Sequence, residues 1–64
     1  KDLSEKDIEN AVEKAMDENK QAVADLKRGR QKSLNFLVGQ VMKETRGKAN
    51  PKVVLEILQK LMGL

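Results

Sequence analysis

The sequence predicts an all-α fold, a small bundle of three to four short helices, on three observations. Apolar residues recur at spacings of three and four along nearly the whole chain. No window alternates β-branched and polar residues with the period of two that a half-buried strand requires. Helix punctuation falls between the apolar runs: Ser4, Asn19, Gly29, Gly47, the pair Asn50 and Pro51, and Gly63.

The first helix opens at Ser4, whose hydroxyl can accept from the N–H three residues on while the Asp7 carboxylate reaches back. Leu3 and Ile8 occupy the positions of a hydrophobic staple. The stripe Ile8, Ala11, Val12, Ala15 and Met16 lies on one face and turns Glu9, Glu13, Lys14 and Asp17 mostly to water. Asn19 offers an N-cap for a second, short helix through Ala22, Val23 and Leu26, ending near Gly29, where a residue without Cβ enters the left-handed region freely. The pattern allows the chain either to break at Asn19 or to run through it.

The third helix carries Leu34, Leu37, Val38 and Val41 on one face, with Met42 at its margin and Gly47 as its expected C-cap. Phe36 falls on the far side. Apolar residues on two sides of a helix indicate the middle member of a bundle, so Phe36 is read as core; as the sole aromatic it also argues against a stacking platform for bases. The fourth helix starts at Asn50, an N-cap, and Pro51, whose fixed φ suits the first helical position and whose missing donor is not needed there. It is expected to bury Val54, Ile57, Leu58 and Leu61, with Val53 and Met62 at the edges. Val12, Leu37, Val41, Ile57 and Leu58 should form the centre of the core, and Met16, Met42 and Met62 read as gap-fillers at the stripe ends.

Length bounds what such a bundle can do. A chain of 64 residues is one domain at most; at that size it buries only about 60% of its unfolded surface. With neither Cys nor His, it lacks thiolate and imidazole metal ligands and the usual acid–base group at neutral pH. Catalysis would have only Asp, Glu, Lys and Ser to draw on, without a P-loop glycine pattern, so no catalytic and no metal residue is assigned. No apolar run approaches the roughly 20 residues that span a bilayer, and the acidic start is unlike a signal peptide, so a soluble intracellular chain with no membrane partner is expected. It begins at Lys1 and is read as a piece of a longer protein, although removal of a tag or leader would look the same.

Charge is unevenly placed along the chain. The net charge is +3, but residues 1–26 carry four Lys against eight acids, whereas residues 27–52 carry eight basic residues against Glu44 alone. Such asymmetry within a small domain is the footprint of something that meets a polyanion on one face.

The stretch "FLVGQVMKETRGKANPKVVLEIL", preceded by "ENKQAVADLKRGRQKSLN", resembles the C-terminal tail domain of the B subunit (GatB) of the aspartyl/glutamyl-tRNA amidotransferase, which the free-standing YqeY proteins share. The resemblance covers about residues 17 to 62 and rests on "GQVMK", a basic residue before glycine, and "GKANP" at fixed spacing. It departs from the family pattern at Lys20, where proline often stands, and at the closing "LMGL". The resemblance implies a non-catalytic accessory domain, residues 1–64, at the C-terminal end of a longer chain, that helps hold tRNA while Glu-tRNA(Gln) or Asp-tRNA(Asn) is amidated. It further implies a parent complex that is an ATP-dependent carbon–nitrogen ligase with glutamine as amido donor, cytoplasmic in bacteria or organellar. The A and C subunits of the amidotransferase would be partners through the parent chain, and ATP and Mg would belong to the parent complex, with no cofactor in this domain.

The candidate tRNA contacts are basic residues at the two ends of the third helix. Lys27, Arg28, Arg30 and Lys32 bracket Gly29, the last three being the candidate contacts; favourable charge at a helix end accounts for at most about 1 kcal/mol and does not call for four of them. Lys43, Arg46, Lys48 and Lys52 surround the corner, where a helix starting at Pro51 presents free N–H groups and a positive dipole end to a phosphate. The plain alternative is a solvated basic surface, and the rival function is a protein-interaction module docking this face on an acidic partner subunit. Gly47, Asn50 and Pro51 read as structural. Gly39, inside a helix, is explained either by close approach of a neighbouring helix, which its apolar neighbours favour, or by close approach of a nucleic-acid backbone.

Overall fold

The computed structural model describes residues 3–64; Lys1 and Asp2 lie outside the described residues. Four helices follow one another: α1 (Glu5–Glu18), α2 (Lys20–Lys27), α3 (Gln31–Glu44) and α4 (Pro51–Met62). No described residue is in a strand.

The local punctuation acts largely as the sequence predicts. Asp7 N–H donates to Ser4 Oγ at 3.1 Å and Ser4 N–H to Asp7 Oδ2 at 3.3 Å, which satisfies two donors at the start of α1 reciprocally. Leu3 packs against the buried cluster that contains Ile8. The chain does break at Asn19, but not through an N-cap. The Asn19 side-chain amide donates backwards to the Ala15 carbonyl at 2.8 Å and makes no cap bond to α2, so this residue closes α1 instead. At the end of α2, Gly29 N–H donates to Leu26 O and Arg30 N–H to Asp25 O, the double bond pattern of a Schellman turn, with Gly29 at φ 91°. At α4, Asn50 Oδ1 accepts from Lys52 N–H at 2.9 Å.

The core comprises Ile8, Val12 and Ala15 of α1, Leu26 of α2, Leu34, Leu37 and Val41 of α3, Ala49 of the α3–α4 corner, and Val54, Ile57 and Leu58 of α4. α3 packs on each of the other three helices and is the central member. Met16, Met42 and Met62 are partly buried against this core.

Two residues expected inside are exposed. Phe36 is 47% accessible, because the core forms on the Leu34, Leu37 and Val41 side of α3 and Phe36, on the far side, only borders an open groove with residues of α2. The centrality of α3 was legible, but a second apolar side does not mean a second neighbour. Leu61 is 39% accessible, in the last turn of α4, on the rim of an open trough it shares with Met16, Val23 and Ala24. No helix of the described residues is long and apolar enough to cross a membrane.

Candidate nucleic-acid interface

The seven predicted contact residues, Arg28, Arg30, Lys32, Lys43, Arg46, Lys48 and Lys52, are all exposed. None of them pairs with an acid among the described residues, whose ion pairs are Lys14 with Glu44 and Lys20 with Asp17. The fold does not gather them at one point. Arg28, Arg30 and Lys32 lie where α3 begins, whereas Lys43, Arg46, Lys48 and Lys52 lie where it ends, and a helix of 14 residues is roughly 21 Å long.

At the α3–α4 corner, Arg46 N–H donates to Lys43 O at 3.1 Å and Gly47 N–H to Met42 O at 2.8 Å, the same double bond pattern that closes α2. Here the first left-handed position falls on Arg46, φ 55°, one residue before the expected Gly47, which follows at φ 75°. Thr45 tightens the turn by donating its hydroxyl to Val41 O at 2.9 Å. Buried Ala49 then pins the corner to the core, with Lys48 and Asn50 exposed on either side of it.

The expected fan of free donors at the start of α4 is smaller than the sequence suggests. Pro51 has no N–H, Asn50 takes that of Lys52, and Val54 N–H donates to Asn50 O, which leaves Val53 N–H without a partner among the described residues. The start of α3 is the more open of the two. Arg30 provides no side-chain cap, and the N–H groups of Gln31 and Lys32 have no partner among the described residues. Acids flank the corner as well: Arg46 and Lys48 border a groove that also holds Asp7, Lys14 and Glu44. Asp7 is engaged in the cap of α1, and Glu44 accepts from Lys14 at 2.7 Å. That hydrogen bond, then the charges of Glu44 and Glu18, hold the Lys14 pKa above its ordinary 10.5 against a small opposing effect of burial.

Between the two basic ends runs a face of α3 that sequence reasoning missed. Lys32, Asn35, Phe36, Gly39 and Lys43 are all exposed, and their spacing places them on one side of the helix. Gly39 is the informative member. A Cβ there would meet nothing within 4 Å, so no neighbouring helix among the described residues packs closely against it as expected, and its φ is not positive. A helix-interior glycine weakens a helix by about 1 kcal/mol relative to Ala, and nothing within the fold requires this one. The available signal was Phe36, three residues earlier on the same face.

The family model described as "GatB domain" matches residues 1–62. The B subunit of aspartyl/glutamyl-tRNA(Asn/Gln) amidotransferase from Thermotoga petrophila is 53% identical over 58 residues, 91% of this chain and 12% of that protein. The protein of the same name from Brachyspira hyodysenteriae is 48% identical over 57 residues, 89% of this chain and 12% of its own length. That of Lactobacillus johnsonii is 57% identical over 49 residues, 77% of this chain and 10% of its own length. The chain thus spans about an eighth or less of the length of these relatives. No solved structure matches the chain significantly.

Proposed function

The chain belongs to the GatB domain family, and from that membership we propose that it is a non-catalytic tRNA-binding accessory domain of a tRNA-dependent amidotransferase, residues 1–64 forming one helical tail domain. The observation that carries the reading is the exposure at both ends of α3 of seven basic residues that pair with no acid among the described residues, on a chain whose remaining sequence is acidic or balanced. Cations so placed neutralise phosphates and orient a polyanion without reading its bases. The long arms of Arg28, Arg30, Arg46, Lys48 and Lys52 suit the spaced phosphates of a folded RNA, with arginine able to hold two oxygens at once and lysine acting as a point charge.

In this reading the chemistry lies elsewhere in the parent protein. The relatives' name describes an amidotransferase acting on aspartyl- or glutamyl-tRNA; ATP, Mg and the glutamine-derived amide would be handled by the larger body and its partners, the A and C subunits, in the bacterial cytoplasm or an organelle. The domain would contribute affinity and orientation alone.

The test is a salt titration of tRNA binding by the 64-residue chain. Affinity should be weak and fall steeply with salt, each neutralised phosphate adding roughly 0.7 to 0.9 to the log–log slope. Affinity that does not change between low and physiological salt would sink the electrostatic reading. Absence of binding to bare tRNA, together with salt-sensitive binding to an acidic partner subunit, would favour the protein-docking alternative.

A further inference from the structure

We infer that the open face of α3, formed by Lys32, Phe36, Gly39 and Lys43, seats a stretch of RNA backbone laid along the helix, with Phe36 stacking against an unpaired base. The inference rests on the tRNA-binding role proposed above and names the surface that would make the closest contact.

The four residues follow one another at intervals of four, three and four, which keeps them on one side of the helix and spreads them over roughly 16 Å. The buried side of α3 carries Leu34, Leu37 and Val41, and these four residues stay exposed on the side away from it. The middle of this open face is recessed, because Gly39 contributes no side chain and the space where a Cβ would project is empty. A glycine in that position lets a foreign backbone reach the backbone of the helix. One turn before it, Phe36 is 47% accessible and offers a flat apolar surface to a single base, which one exposed ring can stack although a sole aromatic cannot form a platform for several. A lysine closes each end.

Close approach at a glycine would also suit a protein segment, and charge favours nucleic acid. The face holds two cations and no acid, and Glu44, the only acid on α3, is held by Lys14. Stacking on an aromatic is tolerant of sequence because every base has a π-face, and paired cations track phosphates. The acids nearby set a boundary. Lys32 and Phe36 also line a groove on the α2 side with Glu18, Asp25, Lys20 and Gln21, and Gln21 Nε2 donates to Asp25 at 3.1 Å. The two acids there offset Lys20 and Lys32, whereas Gly39 and Lys43 lie away from them, so the strand is placed on the Gly39 side.

Two variants test the surface without threatening the core. Gly39→Gln fills the recess and adds no charge, with helicity and thermal stability expected to hold or rise. Phe36→Leu keeps an apolar side chain and removes the π-face. Each is measured against unfractionated tRNA and an oligoadenylate of about 12 nucleotides, within the site sizes that such platforms cover. Each variant is expected to weaken tRNA binding by about 5- to 50-fold with unchanged circular dichroism. The Phe36→Leu loss should also appear on the oligoadenylate. If the parent chain binds neither RNA, the tRNA-binding role itself fails. If the parent binds and both variants bind equally well, only this surface is overturned, and the basic ends carry the affinity. Undiminished RNA binding with lost association to the purified parent body would mark the face as a protein interface and overturn the proposal as well.

Discussion

Lys14 Nζ donates to Glu44 Oε2 at 2.7 Å and so ties the middle of α1 to the last residue of α3. Glu44 is the only acid between Lys27 and Lys52, and its partner is one of only four lysines in the acidic first 26 residues. The pairing removes a negative charge from the basic side and a positive charge from the acidic one.

Lys14 reports on this contact directly. Its pKa lies above 10.5 in the folded chain, raised first by the hydrogen bond to Glu44 and then by the charges of Glu44 and Glu18. In the unfolded chain the ordinary value applies. The contribution to stability is therefore fully present below about pH 10.5 and is lost as pH climbs through the raised folded value. Glu44→Gln should lower the Lys14 titration midpoint, followed by NMR of the lysine side chain, with Glu18 still holding part of the shift. A midpoint unmoved by the substitution would show that the pair does not form in solution.

Leu37 and Phe36 are neighbours in sequence and opposites in role. Leu37 is fully buried at the centre of the bundle, and Leu37→Ala should destabilise the chain by about 2 to 5 kcal/mol. Phe36→Ala, at a half-exposed position, should cost less than about 1.5 kcal/mol. Urea denaturation of the two variants beside the parent decides the matter. Equal losses would place Phe36 in the core after all.

Much of the fold was legible because its determinants are local. Ser4 with Asp7, and Asn50 with Pro51, act within three residues of themselves, so spacing alone reveals them. The stripes of α1, α3 and α4 identify Val12, Leu37, Val41, Ile57 and Leu58 as core by the same periodicity. Phe36, Leu61 and Gly39 were misread for a shared reason. Each depends on whether another helix covers a particular face, and a pattern along one helix carries no information about what lies opposite it. The seven basic residues were identifiable as a set from charge, and their division between the two ends of α3 from the positions of Gly29 and Gly47, but which end keeps the more open backbone donors is set by the caps that actually form.

Arg46 and Gly47 occupy the left-handed turn that closes α3, at φ 55° and 75°. An L residue in that region is disfavoured by about 1 to 2 kcal/mol, partly offset for glycine by its greater unfolded freedom. Arg46→Gly should accordingly stabilise the chain by about 0.5 to 1 kcal/mol, while Gly47→Val should destabilise it by about 1 to 2 kcal/mol. Thermal unfolding of both variants gives the signs. A destabilised Arg46→Gly would mean that the Arg46 side chain contributes packing that outweighs its backbone strain.

The two basic ends of α3 can be separated by paired substitutions. Arg46 and Lys48 flank Gly47 at the corner, and Arg28 and Arg30 flank Gly29 at the start of the helix. All four side chains are exposed, and none forms an ion pair among the described residues, so replacing either pair with Gln should leave helicity and unfolding nearly unchanged. Binding should respond differently. Each pair that meets phosphate should weaken tRNA affinity by about 1 to 3 kcal/mol and lower the salt slope by one to two contacts. Among the described residues, the start of α3 keeps two unpartnered N–H groups, those of Gln31 and Lys32, whereas the capped start of α4 keeps only that of Val53. The larger loss is therefore expected from the Arg28→Gln, Arg30→Gln variant, because a phosphate there gains backbone donors as well as guanidinium groups. Fluorescence anisotropy across a salt series, with unfolding measured on the same samples, provides the comparison. A larger loss from Arg46→Gln, Lys48→Gln would place the principal phosphate contact at the corner, where a strained Arg46 is retained in a turn that favours glycine. No loss from either pair would remove electrostatic anchoring from both ends and leave the exposed face between them to account for any binding.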